Sequence, residues 1–357
     1  MKENLKELLV LGIMSGTSMD GLDLALCKFS RKNSIWNHAI LRASTLPYSP
    51  QLRQSLEDAM YLSAENMCAL DHQYGKLIGD SVSIFLKSGN FKADWIASHG
   101  HTVFHQPSRY FTLQIGNAND IYAATGIPVI NDFRSMDIAL GGNGAPLVPV
   151  GDEYLFNEYD SCLNLGGFSN ISFKHNNNRI AFDICPVNMG LNYLAGKSGL
   201  EFDCAGKLGR QGIILPEILD KLNTLKYYNL PPPKSLGREW FIENMLPILN
   251  NESSVNDLLR TLYEHIVQQI SSVLNNGSFK NVLITGGGAK NSFLIELISK
   301  KTKSEIVIPS NEVVDFKEAL IFAFLGYLRI HSISNVFSSV TGSTSDHCGG
   351  SITGIIK

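Results

Sequence analysis

The stretch Leu9–Phe29 restricts the fold more than any other part of the chain. An apolar run, Leu9-Val10-Leu11-Gly12-Ile13-Met14, enters the polar segment Ser15-Gly16-Thr17-Ser18-Met19-Asp20-Gly21, and the alternating run Leu22–Phe29 leaves it. Two strand-like runs around a short polar segment read as a β-hairpin. Glycines in the turn let backbone N–H groups come close to an anion. Ser and Thr hydroxyls add donors, and successive N–H groups in a tight turn form an anion-binding nest. The loop therefore suits phosphate, although an ordinary solvent-exposed turn fits the same residues.

A chain of 357 residues is long for one small domain and suits two. The Gly- and Pro-rich stretch Gly141–Pro149 reads both as a loop under a site and as the junction, giving lobes of 1–150 and 151–357. The hydrophobic fraction of 44% and charged fraction of 18% are those of a core-forming protein. A net charge of −3, with no basic cluster interleaved with aromatics, gives no footing for a nucleic-acid or anionic-membrane partner. Six scattered cysteines contain no Cys-x-x-Cys pair, which argues against a zinc framework or disulfide scaffold and for reduced thiols in a cytoplasmic protein. Leu8–Met14 is short and lacks a small-residue cleavage site, so it is not read as a signal peptide. Ala319–Leu328 is far shorter than the roughly 20 residues a membrane span needs.

Further along, 50–88 reads as two helices, and Ala93–Ala97 as a strand opening onto Ser98-His99-Gly100-His101. His99, His101 and His105 lack accompanying Cys or carboxylate ligands, so polar substrate contacts or a structural turn suit them better than a metal. Ile127–Ile130 reads as a buried strand ending in Asn131-Asp132-Phe133-Arg134, where open α/β sheets place ligand contacts. The opening device then returns: Ser161–Leu165, Gly166-Gly167, Phe168–Phe173. Arg179–Phe182 reads as a strand with Asp183 just beyond it. Leu258 to Leu274 repeats at helical spacing and leads to the strand Asn281–Thr285, then Gly286-Gly287-Gly288 and a helix start, a second nucleotide-binding pattern distinct from the Walker loop. Asp315 with Glu318 reads either as a capping box or as a carboxylate facing a cleft.

Taken together, Gly12–Asp23, Ala97-Ser98-His99-Gly100, Leu113–Gly116, Asp132-Phe133-Arg134, Gly141–Pro149, Leu163–Gly167 and Thr285–Ala289 resemble the motifs of the anhydro-N-acetylmuramic acid kinases, in order and over nearly the whole chain. The resemblance implies an α/β, two-lobed actin-like or hexokinase-like ATPase fold, built from duplicated ribonuclease-H-like domains, that closes over ATP and a sugar. It also implies a reaction in which water opens the anhydro bridge while ATP phosphorylates the freed hydroxyl on the sixth carbon, within cell-wall peptidoglycan recycling. ATP and Mg²⁺ would be the cofactors and a small-molecule sugar the partner; a homodimer is left open.

Carried over by position, Gly16, Thr17, Ser18, Met19, Asp20, Gly21, Leu22 and Asp23, with Gly166 and Gly167, would meet ATP, and Gly286, Gly287 and Gly288 would lie against its adenosine. Asp183 would be the general base, Asp20 would hold Mg²⁺ through water, and Ser98, His99, Arg134 and Glu318 would contact the sugar. Arg134 suits the lactyl carboxylate. The chain departs from the family where Thr-Gly-Pro-Gly-Asn usually follows the catalytic Asp: here Ile184-Cys185-Pro186-Val187-Asn188 stands, without either glycine. The family commonly has Gln at the place of His101, and its Asp, Gly and Ala loop is only partly matched by Glu201–Lys207. A kinase for another amino sugar, or a non-catalytic ATP or sugar sensor, remain alternatives on one fold.

Overall fold

The computed structural model describes residues 3–16 and 21–354. The chain divides into two compact units: one runs to Leu155 and resumes at Phe316, and the other is Phe156–Asp315. The first boundary lies close to the expected junction. The second differs from the expected lobe of 151–357, because everything from Phe316 onward packs with the first unit.

In the first unit, β1 (Leu5–Ser15), β2 (Gly21–Lys32) and β3 (Ile35–Pro47) form an antiparallel meander. β4 (Trp95–Ser98) joins β1 in parallel, and β7 (Val129–Asn131) joins β4 in parallel. A small hairpin, β5 (His101–Gln106) with β6 (Phe111–Ile115), lies outside this sheet. In the second unit, β8 (Ser161–Leu165), β9 (Phe168–His175) and β10 (Asn178–Pro186) form the meander, and β11 (Asn281–Thr285) and β12 (Glu305–Val307) add in parallel. β13 (Ser351–Thr353) closes the first sheet antiparallel to β7. The orders β3-β2-β1-β4-β7 and β10-β9-β8-β11-β12 are the same, with the same strand directions. This is one ribonuclease-H-like topology used twice, the duplication that defines the actin/hexokinase-like fold.

Both faces of the first sheet are covered, which is why β1 reads as a continuous apolar run. Leu11 and Ile13 face a core shared with Tyr74, Ile78, Val82 and Phe85 of α2 (Ala64–Ser88), which follows α1 (Pro50–Glu57). On the other face, a Cβ added to Gly12 would stand 1.9 Å from the carbonyl oxygen of Ala319. The helix carrying Ala319 thus lies directly on the strand. In the second unit, Leu163, Leu165 and Ile184 share a core with the long helix 255–277. The periodicity read from Leu258 to Leu274 is therefore its buried stripe. No helix among the described residues is long and apolar enough to cross a membrane.

Candidate active site

Each unit ends its central strands in a separate set of polar groups. In the first unit, β1 stops at Ser15, whose hydroxyl accepts a bond from Tyr48 Oη at 2.8 Å and lies 3.2 Å from His101 Nδ1. Tyr48 in turn meets Tyr74 Oη at 2.5 Å. Burial raises the pKa of both phenols and lowers that of His101, so all three stay neutral. This buried chain of hydroxyls fixes the residue at which the polar loop begins. Thr17, Ser18, Met19 and Asp20 lie outside the described residues. Gly16 is half-buried. Gly21 is explained by packing, since a Cβ there would stand 2.5 Å from the Leu46 carbonyl oxygen. Leu22 places its side chain in the core, which leaves its backbone to meet the phosphates expected along this loop. Asp23 accepts a bond from Thr45 Oγ1 at 2.6 Å.

β4 ends at Ser98, whose buried hydroxyl has no hydrogen-bond partner among the described residues. A polar ligand would satisfy it. His99 Nδ1 bonds the Gly100 carbonyl oxygen at 2.9 Å, which leaves Nε2 to accept from Arg134 Nη2 at 2.8 Å and Nε at 3.1 Å. Burial first, and the Arg134 charge second, hold the His99 pKa well below its ordinary value, so the ring is a neutral acceptor. Arg134 Nη1 donates to the Gly144 carbonyl oxygen at 2.7 Å. Three of its five N–H groups are thereby used, and one on each Nη remains for a carboxylate. Burial lowers its pKa to about 10, which still leaves it charged at neutral pH. Asp132, two residues before, has φ 53, an uncommon conformation for a non-glycine residue that turns the chain toward Arg134.

Asp137, fully buried, accepts from the Gly144 N–H and from Thr341 Oγ1, both at 2.6 Å. It therefore fixes the carbonyl that Arg134 grips. No sequence pattern pairs Asp137 with Thr341, which lies 204 residues away.

Glu318 belongs to a helix spanning Asn311–Ile330, with non-helical backbone at Phe316. The capping-box reading is corrected: the helix starts before Asp315, which instead accepts from Lys290 Nζ at 2.7 Å. The Glu318 carboxyl sits above its ordinary pKa, raised by desolvation first and by the Asp23 charge next, with Arg134 and Lys317 opposing. Its side chain keeps accessible surface, so the rise reflects crowding by protein atoms and not a sealed cavity.

In the second unit, Asp183 lies within β10 and not beyond it, at an irregularity where the register with β9 shifts between Asp183 and Cys185. Its Oδ2 accepts from the Leu236 N–H at 2.8 Å. Burial pushes its pKa up to about 6, with the Leu236 bond opposing. The altered residues Ile184, Cys185 and Val187 are buried in this unit's core, so the substitutions face inward and not toward a ligand. The hairpin carbonyls accept from the segment that follows: Gly167 from the Val187 N–H at 2.8 Å and Gly166 from the Asn188 N–H at 3.2 Å. The turn is thereby tied to the end of β10.

Of the three later glycines, Gly286 has φ 83, and a Cβ there would stand 2.5 Å from Asn164 Oδ1. At Gly288 it would stand 2.7 Å from Leu165 Cβ. Gly287 meets nothing closer than Asn188 Nδ2 at 3.6 Å. Only Gly287 presents an open backbone face on which a flat ring could lie. The expected helix start is offset: a 3₁₀ turn, Gly287–Lys290, intervenes, and Asn291 caps the following helix through the Leu294 N–H.

Comparison with known proteins agrees with the motifs. The family model described as anhydro-N-acetylmuramic acid kinase matches residues 8–354. The chain belongs to the anhydro-N-acetylmuramic acid kinase family. A family member of that name from Haemophilus influenzae is 35% identical, with 96% of this chain and 97% of the relative covered. The Vibrio cholerae relative is also 35% identical, covering 94% and 95%, and the one from Sulfurimonas denitrificans is 31% identical, covering 96% and 98%. Family membership thus extends over both units, including the segments at 184–188 and 201–207 that depart from the usual motifs.

Proposed function

We propose that this protein is an ATP-dependent kinase that hydrolytically opens anhydro-N-acetylmuramic acid and phosphorylates its sixth-carbon hydroxyl, in the recovery of cell-wall sugar. The observation that carries the reading is Asp183, a partly buried carboxyl with a pKa pushed up to about 6 and one oxygen pinned by a backbone N–H. A base is most useful when its pKa lies near the working pH. Asp183 takes a proton from water as the water oxygen bonds the anomeric carbon. The bond from that carbon to the bridging oxygen breaks, and this oxygen attacks the terminal phosphorus of ATP, releasing ADP.

Arg134 receives the lactyl carboxylate on its two remaining N–H groups, oriented by His99 and Gly144. Ser98 and Glu318 contact the sugar hydroxyls and amide. The loop from Gly16 to Asp23 receives the phosphates, and Gly287, flanked by Gly286 and Gly288, receives the adenosine. The Asp23 charge lies close enough to Glu318 to add to the burial that raises its pKa. That arrangement fits a Mg²⁺ ion, which favours one or two carboxylates plus phosphate oxygens and water. When bound there, the ion supplies charge neutralisation to the transferring phosphoryl group. No disulfide joins the six cysteines, in keeping with a cytoplasmic setting.

The test is incubation of purified protein with Mg·ATP and anhydro-N-acetylmuramic acid, read by mass. A product heavier than the sugar by one phosphoryl group and one water is expected. ATP consumption without that product redirects the reading to another amino sugar, and absence of any turnover despite ATP binding favours a sensor.

A further inference from the structure

β10 is the edge strand of the second sheet, so its outward backbone groups need partners from elsewhere. At Asp183 they find them in one irregular segment, residues 227–236. The Asp183 N–H donates to the Lys234 carbonyl oxygen at 3.1 Å. Tyr227 Oη donates to the Asp183 carbonyl oxygen at 2.7 Å. The Leu236 N–H donates to Asp183 Oδ2 at 2.8 Å. The segment is closed on itself: Lys234 Nζ donates to the Tyr227 carbonyl oxygen at 3.2 Å and lies 4.6 Å from the centre of the Tyr227 ring. Pro231-Pro232-Pro233 stiffens the span between the two ends.

Backbone nitrogen, backbone oxygen and one carboxylate oxygen of a single residue are thus all held by one run of ten residues, 227–236. An edge cover alone would need only the two backbone bonds. The third bond selects the carboxylate rotamer and leaves Oδ1 with no hydrogen-bond partner among the described residues.

We propose that residues 227–236 are a positioning strap for Asp183, in which Tyr227 and Lys234 hold the segment so that Leu236 fixes Oδ2 and presents Oδ1 to the reacting water. This rests on the reading of Asp183 as the base. Tyr227 is the titratable group that the strap sets against Asp183, Lys234 and Tyr228 act on Cys185 two residues further along the same strand, and Asn170 is the neighbour of Asp183 on β9. The Tyr227 phenol is raised far above its ordinary value by burial and then by the Asp183 charge, so it remains a donor throughout the working range. The Leu236 bond favours the ionised carboxylate. Losing that bond with burial unchanged raises the Asp183 pKa, whereas loss of a mere edge cover would relieve burial and lower it.

The experiment compares full-length wild type, Tyr227→Phe and Lys234→Met in the Mg·ATP and anhydro-sugar assay, across pH. Tyr227→Phe is expected to lower kcat about tenfold to a hundredfold, the scale of a small misplacement of a reacting group. KM for ATP should hold, and the acidic limb of the kcat/KM profile should move upward. Lys234→Met is expected to shift both in the same sense by less, and decides the matter if Tyr227→Phe does not fold. Folded variants with wild-type kcat and an unmoved acidic limb would overturn the strap. Asp183→Asn is measured alongside: turnover retained there would instead overturn the base reading, so the two failures are separable.

Discussion

At the scale of the residue, Asp183 and Arg134 make the sharpest demands. Asp183→Asn keeps the Oδ acceptor for Leu236 but cannot take a proton. It is expected to bind ATP as wild type does and to lose roughly 10²- to 10⁴-fold in turnover. Isothermal titration and product mass check the two halves. Burial raises this carboxyl to about 6, above its unfolded value. Activity is therefore present above about pH 6 and falls as the carboxylate is protonated below it, with a slope of one on a logarithmic plot of kcat/KM. The same sign means that folding binds a proton there, so ionised Asp183 subtracts from stability at neutral pH. Asp183→Asn should melt no lower than wild type, and a clear drop in Tm would count against the burial argument. Arg134→Lys keeps the charge and loses the fork held by His99. A bond to a charged group is worth about 1.5–3 kcal/mol, so KM for the sugar should rise roughly tenfold or more while KM for ATP holds. Asp183 and Arg134 stand out in the sequence because each follows a short buried apolar run, where open α/β sheets place ligand contacts. The hydroxyl chain from Tyr74 through Tyr48 to Ser15 was not, since its members are 26 and 33 residues apart and each alone looks like an ordinary core or loop residue.

At the scale of the element, the glycines separate packing from binding. The sequence shows three successive glycines at 286–288 and cannot say which one is for the ligand, because a close approach to backbone and a close approach to a nucleotide require the same absence of Cβ. The structure shows that packing requires Gly286 and Gly288 and does not require Gly287. Gly286→Ala forces a Cβ against Asn164 at a positive φ and is expected to destabilise the protein by roughly 1–3 kcal/mol, read as a lower urea midpoint. Gly287→Ala meets nothing nearer than 3.6 Å and should leave that midpoint in place while raising KM for ATP. Equal effects of the two on stability would remove the distinction. The strands were legible for a related reason: pairs of apolar runs around short polar turns, at 9–29 and 161–173, leave few alternatives to a hairpin. The helix boundaries were less so. The start of the helix 311–330 was placed at Asp315 because Asp and Glu three apart mimic a cap, whereas a chain of backbone bonds beginning at Ser310 makes the first turn.

At the scale of the molecule, the repeated sheet order was suggested by the repeated hairpin, but the return of the chain to its first unit was not. Nothing in residues 316–354 names a partner: an all-round apolar helix buries itself in whichever core is open to it. The covalent order favoured the nearer, second unit, and the packing went to the first. Ala319, Phe322, Ala323, Phe324, Leu325, Tyr327 and Leu328 are each no more than 1% exposed. Phe324 meets Phe29 and Trp36, Gly326 lies against Ala97, and Tyr327 Oη donates to the Lys6 carbonyl oxygen at 2.8 Å. Each large apolar side chain here contributes about 1.5–3 kcal/mol by burial, and a whole domain is stable by only about 5–15 kcal/mol. A chain ended after Asp315 should therefore lose the first unit altogether. The second unit keeps its five strands, its core and the helix 255–277 within 156–315. The truncated protein is expected to protect the amides of β8, β9 and β11 from hydrogen exchange while those of β1, β2 and β4 exchange at unfolded rates. Protection of β1 and β2 in that chain would mean that the first sheet is held by α2 alone, and that the terminal helix contributes a lid to a core already complete.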